Sequence, residues 1–232
     1  MAQMDAIREI ARRCLVIPLE SGREDRFLWE HTCRVVRAAM MIARIEKITD
    51  SFDAEVLTVA AWFANAGWVV EFEQGKVARE SIRAKTTTPV QRELGASLLT
   101  ARLSDVLDHR IVEQAALCVR SLGERPVDRL DARLILDADC LDECGPLSLL
   151  QMVRLQAFQG RGLEDLLNAW TRRNEYGYWK ALINDSIHFP SVRDIARRRL
   201  EYMDRYVEQL RACHEAKDIC IAGPREDSSL MA

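Results

Sequence analysis

The chain has 232 residues, 48% of them hydrophobic, with 36 Asp and Glu against 33 Lys and Arg and so a net charge of −3. Global disorder is excluded, and the length suits one domain, or one domain with an appendage, of radius of gyration about 17 Å. A dedicated nucleic-acid binder carries a basic excess that is absent here, and four His are a small stock for a polynuclear metal site.

No window of about 18 uncharged apolar residues exists, so no membrane span is expected. The apolar run from Cys14 to Leu19 is interrupted by Pro18 and is too short for a signal-peptide core. Seven Cys at irregular spacings, mostly inside helical patterns, read as free thiols of a cytoplasmic protein. Arg outnumbers Lys by 28 to 5, which reads as a compositional bias of the source genome.

The pattern is helical almost throughout. Residues 4–16 put Ile7, Ile10, Ala11 and Cys14 on one face, and Pro18 and Ser21–Gly22 end the stretch. Over 26–46, His31, Val35, Ala38, Ile42 and Ile45 step by three or four. Residues 53–66 form the next helix, with Asp53 as N-cap and Gly67 as its close. Residues 75–88 are polar and read as a loop or short irregular helix. Helices are expected over 90–103, 108–122, 130–145 and 147–158. After a loop at Gly160 and Gly162, a further helix covers 163–183. A long charged helix runs from Ser191 toward 216, with Ser191 as N-cap and Asp194 in the capping-box position. The tail from Ala222 to Ala232 is polar and expected to be unordered. No strand alternation and no repeat appears. The fold class is all-α, with eight to ten helices. The expected layout is an N-terminal helical extension over 1–25, a main domain over 26–216 and a tail over 217–232.

Three segments stand out: HTCRVVRAAMMIARIE at 31–46, AAWFANAGW at 60–68 and ILDADCLDECG at 135–145. With RDIARRRLEYMDRYVEQL at 193–210 they resemble the HD-domain phosphohydrolase superfamily, nearest its small single-domain bacterial members. The resemblance spans about residues 26–212. DADCLDECG and the closing helix are its more specific parts. It implies an HD-like helical bundle. In that family a His opens one helix, a His-Asp pair ends the next, and a later Asp completes a site for a divalent ion. Such an ion polarises a phosphoryl oxygen and activates a bound water.

The resemblance places His31 and Asp139 at two of the four ligand positions. Ala64 falls at the paired His, Asn65 at the paired Asp, and Trp68 where Lys is frequent. Ala64 has no donor atom, and Asn65 offers only a neutral carbonyl. His31 and Asp139 are therefore a partial ligand set, and no metal or other cofactor is expected. The implied function is that of a catalytically impaired HD-domain protein, a regulatory, ligand-binding or interaction module. The alternative is a metal-dependent phosphohydrolase acting on a nucleotide or other phosphoester through a remodelled site, with Asp139 as candidate base. A third reading is a sensor that binds nucleotide without cleaving it.

The remnant pocket is assigned His31, Arg34, Asn65 and Asp139, where His31 would bond to Asp139 or Asn65. Arg34 or Arg37 would meet a phosphate, since guanidinium suits bidentate anion contacts. Expected partners are a small phosphorylated ligand or a protein, with a homodimer as a possible assembly and neither nucleic acid nor membrane. Trp62, Phe63 and Trp68 read as filling space around the lost pair. Cys140 and Cys144 share a helix face but form one pair only, and read as packing residues. Arg197, Arg198 and Arg199 read as a solvated, ion-paired face. His109 and His188 read as surface or loop residues, and His214 as the frayed end of the last helix.

Overall fold

A computed structural model of the chain describes residues 2–20 and 22–219. Among these residues there are ten helices of eight residues or more and one single-turn helix, with hardly any strand. In chain order they are α1 (Ala2–Leu15), α2 (Phe27–Ile45), α3 (Ala54–Phe63), α4 (Ala66–Glu73), α5 (Pro89–Leu103), α6 (His109–Ser121), α7 (Leu130–Glu143), α8 (Pro146–Phe158), α9 (Leu163–Glu175), α10 (Tyr178–Ala181) and α11 (Pro190–His214). A 3₁₀ turn covers Arg79–Ser81, and a π-helical turn covers Leu182–Ser186. Two antiparallel two-residue strands, Ile17–Pro18 and Glu24–Asp25, pair Ile17 with Asp25. The tail from Ala222 to Ala232 lies outside the described residues. No described helix is long and apolar enough to cross a membrane.

The fold is the expected all-α bundle. The apolar faces read from the sequence are largely the buried ones. Ile7 and Ala11 of α1 and Val35, Ala39 and Ile42 of α2 join one core with α3 to α7. Helix α2 packs along α7 and α3, while α5 lies between α4 and α6. Ile45, expected on the inner face of α2, is exposed because it falls in the last turn, where the helix passes the edge of the core.

Asp53 is the expected N-cap: its carboxylate accepts from the backbone N–H groups of Glu55 and Val56 at 3.0 and 3.3 Å. Three boundaries differ from the sequence reading. Gly67 does not end a helix. Helix α3 stops at Phe63, and Gly67 lies inside α4, where a Cβ would stand 1.9 Å from the Gln91 carbonyl oxygen of α5. Glycine here permits close backbone approach and does not serve as a cap. The helix expected over 163–183 is broken by Gly177, whose φ of 64° is the left-handed turn that closes α9.

The third difference is at the start of α11. Ser191 does not cap it, and Asp194 pairs with Arg197 one turn on. The helix begins at Pro190, whose missing N–H suits the first helical position. The Ser191 hydroxyl instead donates to Glu46. The buried Asp137 of α7 takes the capping role from outside. Its carboxylate accepts from the backbone N–H of His188 at 2.8 Å and of Phe189 at 2.9 Å, and lies 2.7 Å from His188 Nδ1. His188 is thus a half-buried loop residue tied to α7. His109 is exposed at the start of α6, and His214 is the exposed last residue of α11.

Candidate functional site

The site lies where the first turns of α2, the α3–α4 junction and the C-terminal half of α7 meet. His31 is fully buried beneath the α2–α7 contact. Its Nε2 is 3.0 Å from Asp139 Oδ1, and its Nδ1 is 2.7 Å from Asp142 Oδ2. The Asn65 amide nitrogen is 3.5 Å from the same Nε2. The structure therefore brings His31, Asn65 and Asp139 together across three elements far apart in sequence. Ala64, buried beside them, contributes a methyl group and no donor.

Two further residues complete the cluster. Asp142 follows Asp139 by three residues on α7, so both face α2. Arg34, one turn beyond His31, grips Asp142: its Nε donates to Oδ1 at 2.8 Å and its Nη2 to Oδ2 at 3.0 Å. This two-point contact is the strong guanidinium–carboxylate geometry. Arg34 is thereby committed to Asp142, and Arg37 is exposed. The second is Arg83, from the loop after the 3₁₀ turn. Its Nη2 donates to Asp139 Oδ1 at 3.1 Å, and its Nη1 lies 3.7 Å from Asp142 Oδ2. The sequence reading did not single out Asp142 or Arg83. The i, i+3 spacing from Asp139 was a usable signal for Asp142. Arg83 sits in a non-periodic polar loop and gave none.

These neighbours set the acidity of both carboxylates. Burial pushes the Asp142 carboxyl up, but the hydrogen bonds and charges of His31 and Arg34 outweigh it and hold the group well below the ordinary range. Burial likewise pushes Asp139 up, and the Arg83 charge with the His31 contact brings it down below the ordinary value. Both groups are ionised at neutral pH.

Asp139 opens onto a cavity of about 390 Å³. Arg83, Lys85 and Arg173 bring positive charge to its wall, Thr86, Thr87, Ser148, Gln151 and Tyr178 bring polar groups, and Asn65 and Asp139 form its inner end. Tyr178 donates its hydroxyl to Glu143 at the rim. Arg34 does not line this cavity. It faces a separate groove with Ala38, Gly145 and Arg199.

The donor set does not fit a divalent ion. Among the described residues no three His, Cys, Asp or Glu side chains converge to hold one. Both ring nitrogens of His31 are turned to carboxylates, and Asp139 Oδ1 already meets His31 and a guanidinium. Nor do thiols compensate. Burial, with Asp139, Glu143 and Asp137 nearby, pushes Cys140 well above the ordinary thiol value, and burial with Glu143 pushes Cys144 up to about 12 against the opposing charge of Arg199. Protonated thiols are poor ligands. Trp62, Phe63 and Trp68 are buried around the junction, as expected for space-filling residues. Within the Arg197–Arg199 cluster of α11, Arg197 pairs with Asp194 at the surface. Arg199 instead departs from the solvated face expected of it and donates to the Leu141 carbonyl at 2.6 Å.

No protein-family model matches the chain, and no curated protein matches it. Solved structures do. A predicted HD superfamily hydrolase from an uncultured Thermotogales bacterium superposes with a TM-score of 0.55 at 19% identity, over 90% of this chain and 91% of that one. Bacillus subtilis YpgQ superposes with a TM-score of 0.60 at 19% identity, over 94% and 96%. YpgQ in complex with ADP gives 0.58 at 20% identity, over 93% and 97%. The chain therefore shares the helical fold of these structures.

Proposed function

We propose that this chain is a non-hydrolytic ligand-binding or regulatory module built on the HD hydrolase fold, and that its ligand is a small phosphorylated molecule of the nucleotide class. The observation that carries this reading is the cavity beside Asp139. Its volume falls in the usual small-ligand range, and its wall gathers Lys85 and Arg173 around hydroxyl and amide groups that suit phosphate and base contacts, with Arg83 held at the inner end by Asp139. That YpgQ has been crystallised with ADP makes ADP the natural first probe.

The alternative is phosphohydrolysis through a remodelled site with Asp139 as base, and one observation speaks for it: Asp139 is open to the cavity, its side chain 35% exposed. Its lowered pKa speaks against it. A carboxylate held ionised by Arg83 and His31 is a weak proton acceptor at neutral pH, where a general base works best with a pKa near the working pH.

Isothermal titration with ADP, followed by chromatography of the recovered nucleotide, tests the proposal. The expected result is saturable binding with ADP returned intact. Release of AMP and phosphate would establish the alternative, and no heat at millimolar ADP would overturn the nucleotide reading.

A further inference from the structure

We propose that Arg83 is a built-in cation standing where a divalent ion would otherwise balance Asp139 and Asp142, and that it blocks metal independently of the missing donors at Ala64 and Asn65. This does not depend on which ligand fills the cavity.

Three observations carry it. The first is position. The Arg83 guanidinium spans both carboxylates, at 3.1 Å from Asp139 and 3.7 Å from Asp142, and shares the Asp139 oxygen that faces His31. The second is desolvation. The side chain is 10% exposed, and Nη1 is buried without a hydrogen-bond partner. A buried guanidinium nitrogen with no acceptor is costly, and only the nearby negative charge offsets that cost. The third is the backbone. Arg83 holds a φ of 64°, a conformation that disfavours a residue with a side chain, and the Gln151 amide fixes it there by donating to the Arg83 carbonyl at 2.5 Å. The loop is thus held in a strained turn that delivers the guanidinium to the carboxylates.

Asp139 and Asp142 are met by the guanidinium groups of Arg83 and Arg34, and both also contact the His31 ring. An added dication would meet carboxylates already paired, and a guanidinium at close range. Restoring the lost pair alone therefore leaves the block in place.

The test uses Mn²⁺ as probe, with binding read by titration calorimetry and by loss of the free-ion signal in electron paramagnetic resonance. Four full-length proteins are compared: the wild type, the double variant Ala64→His/Asn65→Asp, and that double variant combined with Arg83→Met or with Arg83→Lys. The expected result is that only the combination with Arg83→Met takes up one equivalent of Mn²⁺, roughly tenfold or more tighter than the double variant, while the combination with Arg83→Lys stays blind. The proposal is overturned if the double variant binds as tightly as the triple, or if the folded triple variant does not bind. Should the combination with Arg83→Met not fold, the single substitutions decide. Arg83→Met should melt below Arg83→Lys, which keeps the charge, and equal melting of the two would refute the built-in cation.

Discussion

Asp142 holds the cluster together, and its neutralisation is the most informative single perturbation. Asp142→Asn keeps the shape and removes the charge. The side chain is 12% exposed, so water screens little of what is lost. Three contacts change: Arg34 Nε at 2.8 Å, Arg34 Nη2 at 3.0 Å and His31 Nδ1 at 2.7 Å. Hydrogen bonds to charged groups contribute about 1.5–3 kcal/mol each. The new amide can still accept from one donor, but it turns its own N–H groups toward another. Arg34, 26% exposed, recovers some hydration. The net cost should lie near the lower end of that for breaking a buried ion pair, about 3 kcal/mol. For a chain of this size that lowers the melting temperature by roughly 6–12 °C. The pH dependence has a fixed sign. The folded carboxyl is held below its ordinary value of 3.8, so its contribution is fully present above that value and fades as pH falls below it. Calorimetric melts of both proteins at pH 7 should show the full gap, and melts below pH 4 a narrowing one. A destabilisation under about 1 kcal/mol at pH 7, or a gap constant through acid pH, would refute the reasoning.

Other expectations concern the scaffold. Gly67→Ala should cost about 3 kcal/mol or more in urea denaturation, because the added methyl meets the α5 backbone, which cannot step aside as a side chain would. Asp137→Asn should free the start of α11, seen as faster amide exchange at Val192 and Arg193 than elsewhere in that helix, since its new amide would face two backbone donors. Iodoacetamide at mildly alkaline pH should label the exposed Cys213 well before Cys140 or Cys144, whose burial keeps them protonated.

Much of this was legible in the sequence because it is periodic or local. The 3.6-residue rhythm of α2 places His31 and Val35 on its buried face, and Asp53 caps α3 through bonds two and three residues on. The resemblance to the HD-domain phosphohydrolases carried His31, Ala64, Asn65 and Asp139 to one place, since it assigns α2, the α3–α4 junction and α7 fixed positions in a shared fold. What escaped was long-range or ambiguous. Arg83 reaches Asp139 across 56 positions from a loop without rhythm. Asp137 caps α11 from 51 positions away, so the local signal at Ser191 pointed to the wrong residue. Gly67 was misread because glycine marks both helix ends and close crossings. Only the presence of α5 beside it distinguishes the two.

The left-handed turn at Arg83 makes position 83 a point of frustration, where local and global preferences disagree. Judged as a loop alone, the turn favours Gly or Asn, which would relieve roughly 1 kcal/mol of backbone strain. Judged as part of the pocket, the same change deletes the counter-ion that spans Asp139 and Asp142. A thermostability screen of the whole chain should therefore retain Arg83, although the residue is a poor fit to its own backbone. Gly or Asn should become acceptable there only in variants that have also neutralised Asp139 or Asp142, a pairwise epistasis readable by deep mutational scanning without any knowledge of the ligand.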